Sequence, residues 1–248
     1  MRFGFDANDD LKRISAVFLL LGSGDRGKPV VILNKRSKYV RQAGDLCCPG
    51  GGIAPFIDRW LARGLHLPGS PLARWPQGKW WRRHRPADYH KLAILLATAL
   101  REGFEEMRLN PFAIRFLSPL PKQQLVLFRR DIYPMVGWVH HQRRFFPNWE
   151  VEKIVSVPVD ALIEAKHYAR YRFSFEAHGN GLPGLPGRDM PCFVHRHKGE
   201  TELLWGVTYR IVTDFLEKTL GFTPPAMDNL PVVRRRLDHR YIEGALKI

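Results

Sequence analysis

The chain has little with which to staple itself. Its 248 residues include three cysteines, Cys47, Cys48 and Cys192, and none stands in a CxxC spacing. Sequence neighbours such as Cys47 and Cys48 rarely pair, so neither a disulfide framework nor a zinc site is expected, and a reducing, cytoplasmic setting fits. Long apolar runs are missing too. Residues 14–21 are apolar but far too short to span a bilayer, and the first eleven residues lack the apolar stretch of a signal peptide. No membrane partner is expected, and no internal repeat is present. Acidic charge is scarce: 24 Asp and Glu face 39 Lys and Arg, for a formal net charge of +15. That excess points to an anionic ligand. Basic clusters occur at Arg82-Arg83-His84-Arg85, Arg143-Arg144 and Arg234-Arg235-Arg236, but no recognised nucleic-acid motif accompanies them. Charge therefore says anionic ligand without saying which.

What is present is enough apolar residue, 45%, for a sizeable core in one large domain or two small ones. Residues 14–21 and 29–33 read as two strands joined by a Gly-rich turn. The turn Pro49-Gly50-Gly51-Gly52 needs a permissive backbone and suits either a plain turn or backbone approaching a ligand or metal. Residues 53–88 show no clear period yet hold Trp60, Trp75, Trp80 and Trp81. Disordered segments are poor in aromatics, so a partly ordered, basic lid or interface segment is expected there.

Residues 90–109 form the best helix, with an apolar stripe at Leu92, Leu96, Leu100, Gly103 and Met107, stopped by Asn110-Pro111. Strands are expected at 114–117, 125–128, 135–139, 154–159 and 168–175, and a short helix over 159–166. A loop follows at 180–188, then a hairpin from 192–195 and 203–205, and an amphipathic helix over 208–220. The tail from 223 to 248 is Pro-rich, then basic, and is expected to pack weakly or against a partner.

Within the helix over 90–109, Glu102, Glu105 and Glu106 stand at i, i+3 and i+4. Three carboxylates on one face repel one another unless a cation joins them, and hard ions such as Mg²⁺ or Mn²⁺ bind oxygen ligands of this kind. The bland alternative is a solvated acidic face, but in so basic a chain an acidic cluster is out of character.

The run Arg101-Glu102-Gly103-Phe104-Glu105-Glu106, with Gly51 ahead of it, resembles the Nudix hydrolases, whose box reads G-x5-E-x7-R-E-U-x-E-E-x-G-U (U, bulky aliphatic). Arg101-Glu102 and Glu105-Glu106 match the R-E and E-E pairs, and Leu109 matches the last position. Arg101 follows Gly51 by 50 positions where the box has 14, so about 36 residues are inserted. Gly103 replaces the aliphatic residue and Arg108 the late glycine. The first Glu has no counterpart, with Asp58 or Asp88 as substitutes. Further segments are similar to the coenzyme A pyrophosphatase-like subgroup: Leu33 to Gly51, with Arg36, Ser37, Gly44-Asp45 and Pro49-Gly50-Gly51; Asn148-Trp149-Glu150-Val151 before Val157-Pro158; and Trp205-Gly206-Val207-Thr208.

The resemblance implies an α/β (α+β) Nudix fold, a mixed sheet sandwiched between helices, over residues 1–222, interrupted by the insertion at about 53–88 and followed by the basic tail. It implies hydrolysis of a diphosphate in a nucleoside diphosphate derivative, with coenzyme A or acyl-CoA preferred and Mg²⁺ or Mn²⁺ as cofactor. Another dinucleotide or a nucleotide sugar as substrate, and a catalytically weak ligand- or RNA-binding protein, are the alternatives. Glu102, Glu105, Glu106 and the Gly51 carbonyl are the implied metal ligands. Glu102, Arg101 and Glu105 are the implied catalytic set, with Arg101 holding Glu102 in place. Arg36, Ser37, Arg41 and Gly50 are expected to meet substrate, and Glu150 to supply an extra carboxylate. The expected partner is an anionic nucleotide-type small molecule, with nucleic acid a lesser alternative and a homodimer allowed.

Overall fold

The structure is a computed structural model that describes residues 11–125, 130–175, 189–197, 199–237 and 241. The chain divides into two compact units. The first is built from the described residues up to Ile32 together with Cys48–Asn148, and the second from Leu33–Cys47 and the described residues from Trp149 onward.

The first unit is organised on strand β1 (Ile14–Ser23), buried at every position but its last. A strand covered on both faces carries a continuous apolar run rather than an alternating one, which is what Ala16 to Leu21 supply. Strand β2 (Pro29–Arg36) returns antiparallel to it, as expected, with Leu20 opposite Ile32. A further strand, β7 (Arg130–Val139), runs parallel to β1 with Ile14 opposite Asp131. Strands β5 (Ile114–Pro119) and β6 (Gln123–Leu125) pair with β7, so the expected strands over 114–117 and 135–139 are found. Most of the strand expected at 125–128 lies outside the described residues.

Helix α3 (Pro86–Met107) packs on this sheet. Pro86 opens it at a position where a missing N–H costs nothing. It ends at Arg108, whose φ of 55° is left-handed, the helix-terminating geometry that glycine fills most easily. Gly103 also has a local reason: a Cβ there would stand 2.9 Å from the Leu109 side chain. The two departures from the box pattern thus lie side by side at one helix end.

Residues 53–88 are more regular than expected. They hold α1 (Pro55–Gly64) and α2 (Gly78–His84), both packed on α3. The connection between them is fastened to β5 and the turn before it: buried Trp75 donates Nε1–H to the Leu117 carbonyl at 2.8 Å, and Arg74 donates to those of Phe112 and Ile114 at 3.1 and 3.3 Å.

In the second unit, β9 (Tyr168–Phe175), β10 (Met190–His197) and β11 (Glu200–Trp205) form an antiparallel sheet, and α5 (Gly206–Leu220) packs on β10 and β11. The expected hairpin and amphipathic helix are both there, whereas the loop expected at 180–188 lies outside the described residues. Strands β3 (Leu46–Cys47) and β8 (Val151–Pro158) and the short α4 (Val159–Leu162) complete the early part. The mixed α/β class is as expected.

The tail departs from expectation. Val232–Leu237 forms β12, parallel to β9 with Val232 opposite Arg170 and Leu237 opposite Phe175. Leu237 and Tyr241 belong to the core around Tyr171, Phe173 and Cys192. The Tyr241 hydroxyl donates to Asp45 Oδ2 at 2.5 Å. Burial raises the pKa of Asp45 despite opposing help from Tyr241, Trp205, Arg235 and Arg36. A group whose folded pKa is raised stabilises least above that pKa, where it must be buried ionised. Tyr241→Phe removes a donor to that carboxylate. We expect about 1.5–3 kcal/mol lost in urea unfolding, more at neutral than at mildly acidic pH.

Candidate functional site

The site grows from three pieces of the first unit: the short strand β4 (Gly50–Gly52), the start of α1, and the C-terminal turns of α3. Strand β4 lies antiparallel to the first residues of β1, with Ser15, Ala16 and Val17 opposite Gly52, Gly51 and Gly50. Helix α3 packs on β4 and delivers Arg101, Glu102, Glu105 and Glu106 beside it.

Arg101 is the hub. Its Nε donates to Asp58 Oδ1 at 2.8 Å, and Nη2 donates to Asp58 Oδ2 at 3.3 Å and to the Gly52 carbonyl at 3.0 Å. Nη1 meets Glu102 Oε1 at 3.0 Å and Glu105 Oε2 at 3.1 Å. Burial alone would depress the guanidinium pKa, but the Asp58 hydrogen bond and the charges of Glu102, Asp58 and Glu105 outweigh it and hold it above its usual value. Arg101 is therefore permanently charged and fixed in orientation.

Asp58 is 0% exposed. Besides Arg101, it accepts from Thr98 Oγ1 at 2.8 Å and from the Ala54 backbone N–H at 2.7 Å, at the first turn of α1. Asp88, the other candidate for the missing first carboxylate of the box, pairs instead with Arg85 at 2.7 Å. Counted from Gly52 rather than Gly51, Asp58 falls where the box has its first Glu.

Two glycines bring backbone against carboxylate. The Gly50 N–H donates to Glu106 Oε2 at 3.2 Å, and Glu106 is only 8% exposed. A Cβ on Gly51 would stand 2.5–2.7 Å from the Glu102 carboxylate, so only a residue without a side chain lets that group lie there. Among the described residues no three His, Cys, Asp or Glu side chains converge as a ready metal cage. Glu102 and Glu105 are instead drawn to Arg101. The donor set of carboxylate oxygens beside the Gly51 backbone nevertheless has the hard-oxygen chemistry that Mg²⁺ or Mn²⁺ takes.

Arg130, at the start of β7, was not singled out by sequence. Its Nη1 donates to Ser15 Oγ at 3.0 Å and lies 3.7 Å from where a Gly52 Cβ would stand. No motif marks it; only the parallel register of β1 and β7 brings it to β4.

The structure thus gathers Arg101, Glu102, Glu105, Glu106, Gly50 and Gly51. Arg36, Ser37, Arg41 and Glu150 belong to the second unit and meet there in two pairs. Arg36 Nε donates to the Arg41 carbonyl at 2.7 Å, and the Ser37 N–H to the Glu150 carbonyl at 2.8 Å. Trp205 is half-buried and packs against Tyr171 and Phe173 of the core.

The chain is similar to proteins of the Nudix group. No protein-family model matches the chain. The mouse (Mus musculus) peroxisomal coenzyme A diphosphatase NUDT7 is 26% identical over 207 residues, covering 80% of this chain and 66% of that protein, just under two-thirds of its length. Solved structures resembling this chain include a MutT/nudix family protein from Enterococcus faecalis, with TM-score 0.44 and 10% identity over 88% of this chain and 65% of that one. A NUDIX hydrolase from Nitrosomonas europaea has TM-score 0.41 and 11% identity over 89% and 79%.

Proposed function

We propose that the protein is a metal-dependent hydrolase that splits the diphosphate of a nucleoside diphosphate derivative. The preferred substrate is coenzyme A or an acyl-CoA, giving 3′,5′-ADP and 4′-phosphopantetheine or its acyl form. The observation that carries the reading is the placing of Glu102 and Glu105 on Arg101, and of Glu106 on the Gly50 N–H, beside Gly50–Gly52. The mouse diphosphatase supports the choice of substrate.

Glu102, Glu105, Glu106 and the Gly51 carbonyl would hold Mg²⁺ or Mn²⁺. Such an ion, when bound, neutralises phosphate charge and acidifies water. The chain's own residues do the rest. Asp58 fixes Arg101, and Arg101 fixes Glu102, so the carboxylate that accepts the proton of the attacking water is set in place. Arg130 offers a second cation near β4, suited to a phosphate oxygen. Arg36, Ser37 and Arg41 are assigned to the anionic substrate, and Glu150 to an added carboxylate. The three free thiols support a reducing, cytoplasmic setting, whereas the mouse relative is named as peroxisomal.

The test is incubation with CoA and Mg²⁺ or Mn²⁺, with products separated by anion exchange. We expect 3′,5′-ADP and 4′-phosphopantetheine in equal amounts. Glu106→Gln should lower kcat by roughly 10²–10³-fold. Cleavage of other dinucleotides with CoA left intact would overturn the substrate. An unchanged kcat in Glu106→Gln would overturn the site.

A further inference from the structure

Helix α1 turns its apolar side chains away from the protein. Packed on α3, it buries Asp58 at 0% exposure and Ala62 at 2%. At about 100° per residue, the opposite face carries Phe56, Ile57 and Trp60, which are 87%, 50% and 67% exposed. Leu67, just past the helix, is 63% exposed. A helix on the surface of a globular unit ordinarily spends its apolar stripe on the core, and a reversed stripe marks a surface that something else covers. The reversal follows from Asp58: the inward face is committed to Arg101 and Thr98, so the large apolar residues have only the outside left.

Charge selects what covers it. Arg59 and Arg63, one turn apart and exposed, line one flank of the apolar face. Residues 53–88 carry seven Lys and Arg against two Asp. Both acids are already used within the unit, Asp58 on Arg101 and Asp88 on Arg85. Burial, with the charges of His90 and Arg82, lowers the pKa of His66, just past the helix. A second copy of this face would set arginines against arginines with no acid between them. Nucleic-acid bases would stack on Phe56 and Trp60 but gain little from Ile57 and Leu67, which have no flat surface.

We propose that α1 docks on a membrane surface containing anionic lipids, with Phe56, Ile57 and Trp60 in the interfacial layer and Arg59 and Arg63 on lipid phosphates. The expectation of no membrane partner rested on the lack of a spanning run. Among the described residues no helix is long and apolar enough to cross a bilayer, but a helix lying in the interface need not cross. The inference is independent of the proposed hydrolysis.

The experiment is co-sedimentation of the full chain with phosphatidylcholine vesicles, with and without phosphatidylserine. Wild type should bind the phosphatidylserine vesicles at least about 10-fold more tightly than the neutral ones. Phe56→Ser/Trp60→Ser should weaken that binding by about 10-fold or more, and Arg59→Gln/Arg63→Gln by roughly 10- to 30-fold. Both variants change exposed residues, so circular dichroism and Tm should match wild type. The proposal is overturned if wild type stays in the supernatant with anionic vesicles, or if both double variants bind like wild type. It is also overturned in favour of nucleic acid if Phe56→Ser/Trp60→Ser loses a single-stranded RNA oligonucleotide but keeps the vesicles. A wild-type dimer in sedimentation velocity that the same variant dissociates, with no vesicle binding, would assign the face to a second copy.

Discussion

Asp58→Ala is expected to destabilise the fold by about 3–5 kcal/mol, as befits a buried ion pair from which one partner is removed. Asp58 has no exposure, and the Arg101 side chain is only 12% exposed. Arginine cannot escape by losing its proton, so the charge left behind must stay buried with one fewer counter-charge. The loss is spread over two helices, because Asp58 also takes the Thr98 hydroxyl of α3 and the Ala54 N–H that opens α1. Asp58→Asn keeps the shape and one acceptor but not the charge, so its urea midpoint should fall between those of wild type and Asp58→Ala. On the proposed function Asp58 is a positioning residue. Asp58→Asn should therefore lower kcat more than KM while the protein is still folded. If Asp58→Ala unfolds at the wild-type midpoint, the contacts of Arg101 with Glu102, Glu105 and Gly52 suffice without it, and its positioning role is wrong.

That residue also shows what a sequence can and cannot display. The helix bearing Glu102, Glu105 and Glu106 was legible because its apolar stripe repeats over 22 residues, and periodicity needs length to register. Helices α1 and α2 escaped because they are short: α1 has ten residues, and α2 has seven, four of them basic. Asp58 was one of two candidates because the count from Gly51 lands on Ile57; the alternative count from Gly52 needed the Arg101 contact to recommend it.

Strand β12 was hidden by its own composition. Three successive arginines, Arg234 to Arg236, are exposed, and Leu237 alone is fully buried, so the stretch reads as a basic tail. It is held by backbone pairing to β9, which side chains do not advertise. Arg130 was hidden differently. Its place beside β4 depends on a parallel register between strands more than a hundred residues apart, and no local pattern encodes that.

Two adjacent glycines give the second large effect, and they should fail in opposite ways. Gly50 has a φ of 143°, and a Cβ there would stand 2.3 Å from the Ala16 carbonyl oxygen and 2.5 Å from the Val17 Cα. Both atoms are backbone of β1, the buried centre of the first unit, and neither can yield without breaking strand pairing. Gly50→Ala should therefore cost roughly 3 kcal/mol or more, the sum of backbone strain and overpacking. At Gly51 the new methyl meets only the end of the Glu102 side chain, at 2.5–2.7 Å, which can swing aside. Gly51→Ala should accordingly unfold within about 1 kcal/mol of wild type, the modest cost of a site whose neighbour can move. The displaced carboxylate leaves Arg101 Nη1, however, and with it the place where the proposed chemistry needs it. The expected result is a folded protein whose kcat has dropped by about 10²-fold or more, comparable to losing a preorganised electrostatic contact. Equilibrium unfolding and CoA hydrolysis measured on both variants separate the two effects. A Gly51→Ala protein with full kcat would show that Glu102 does not act from the position it occupies against β4.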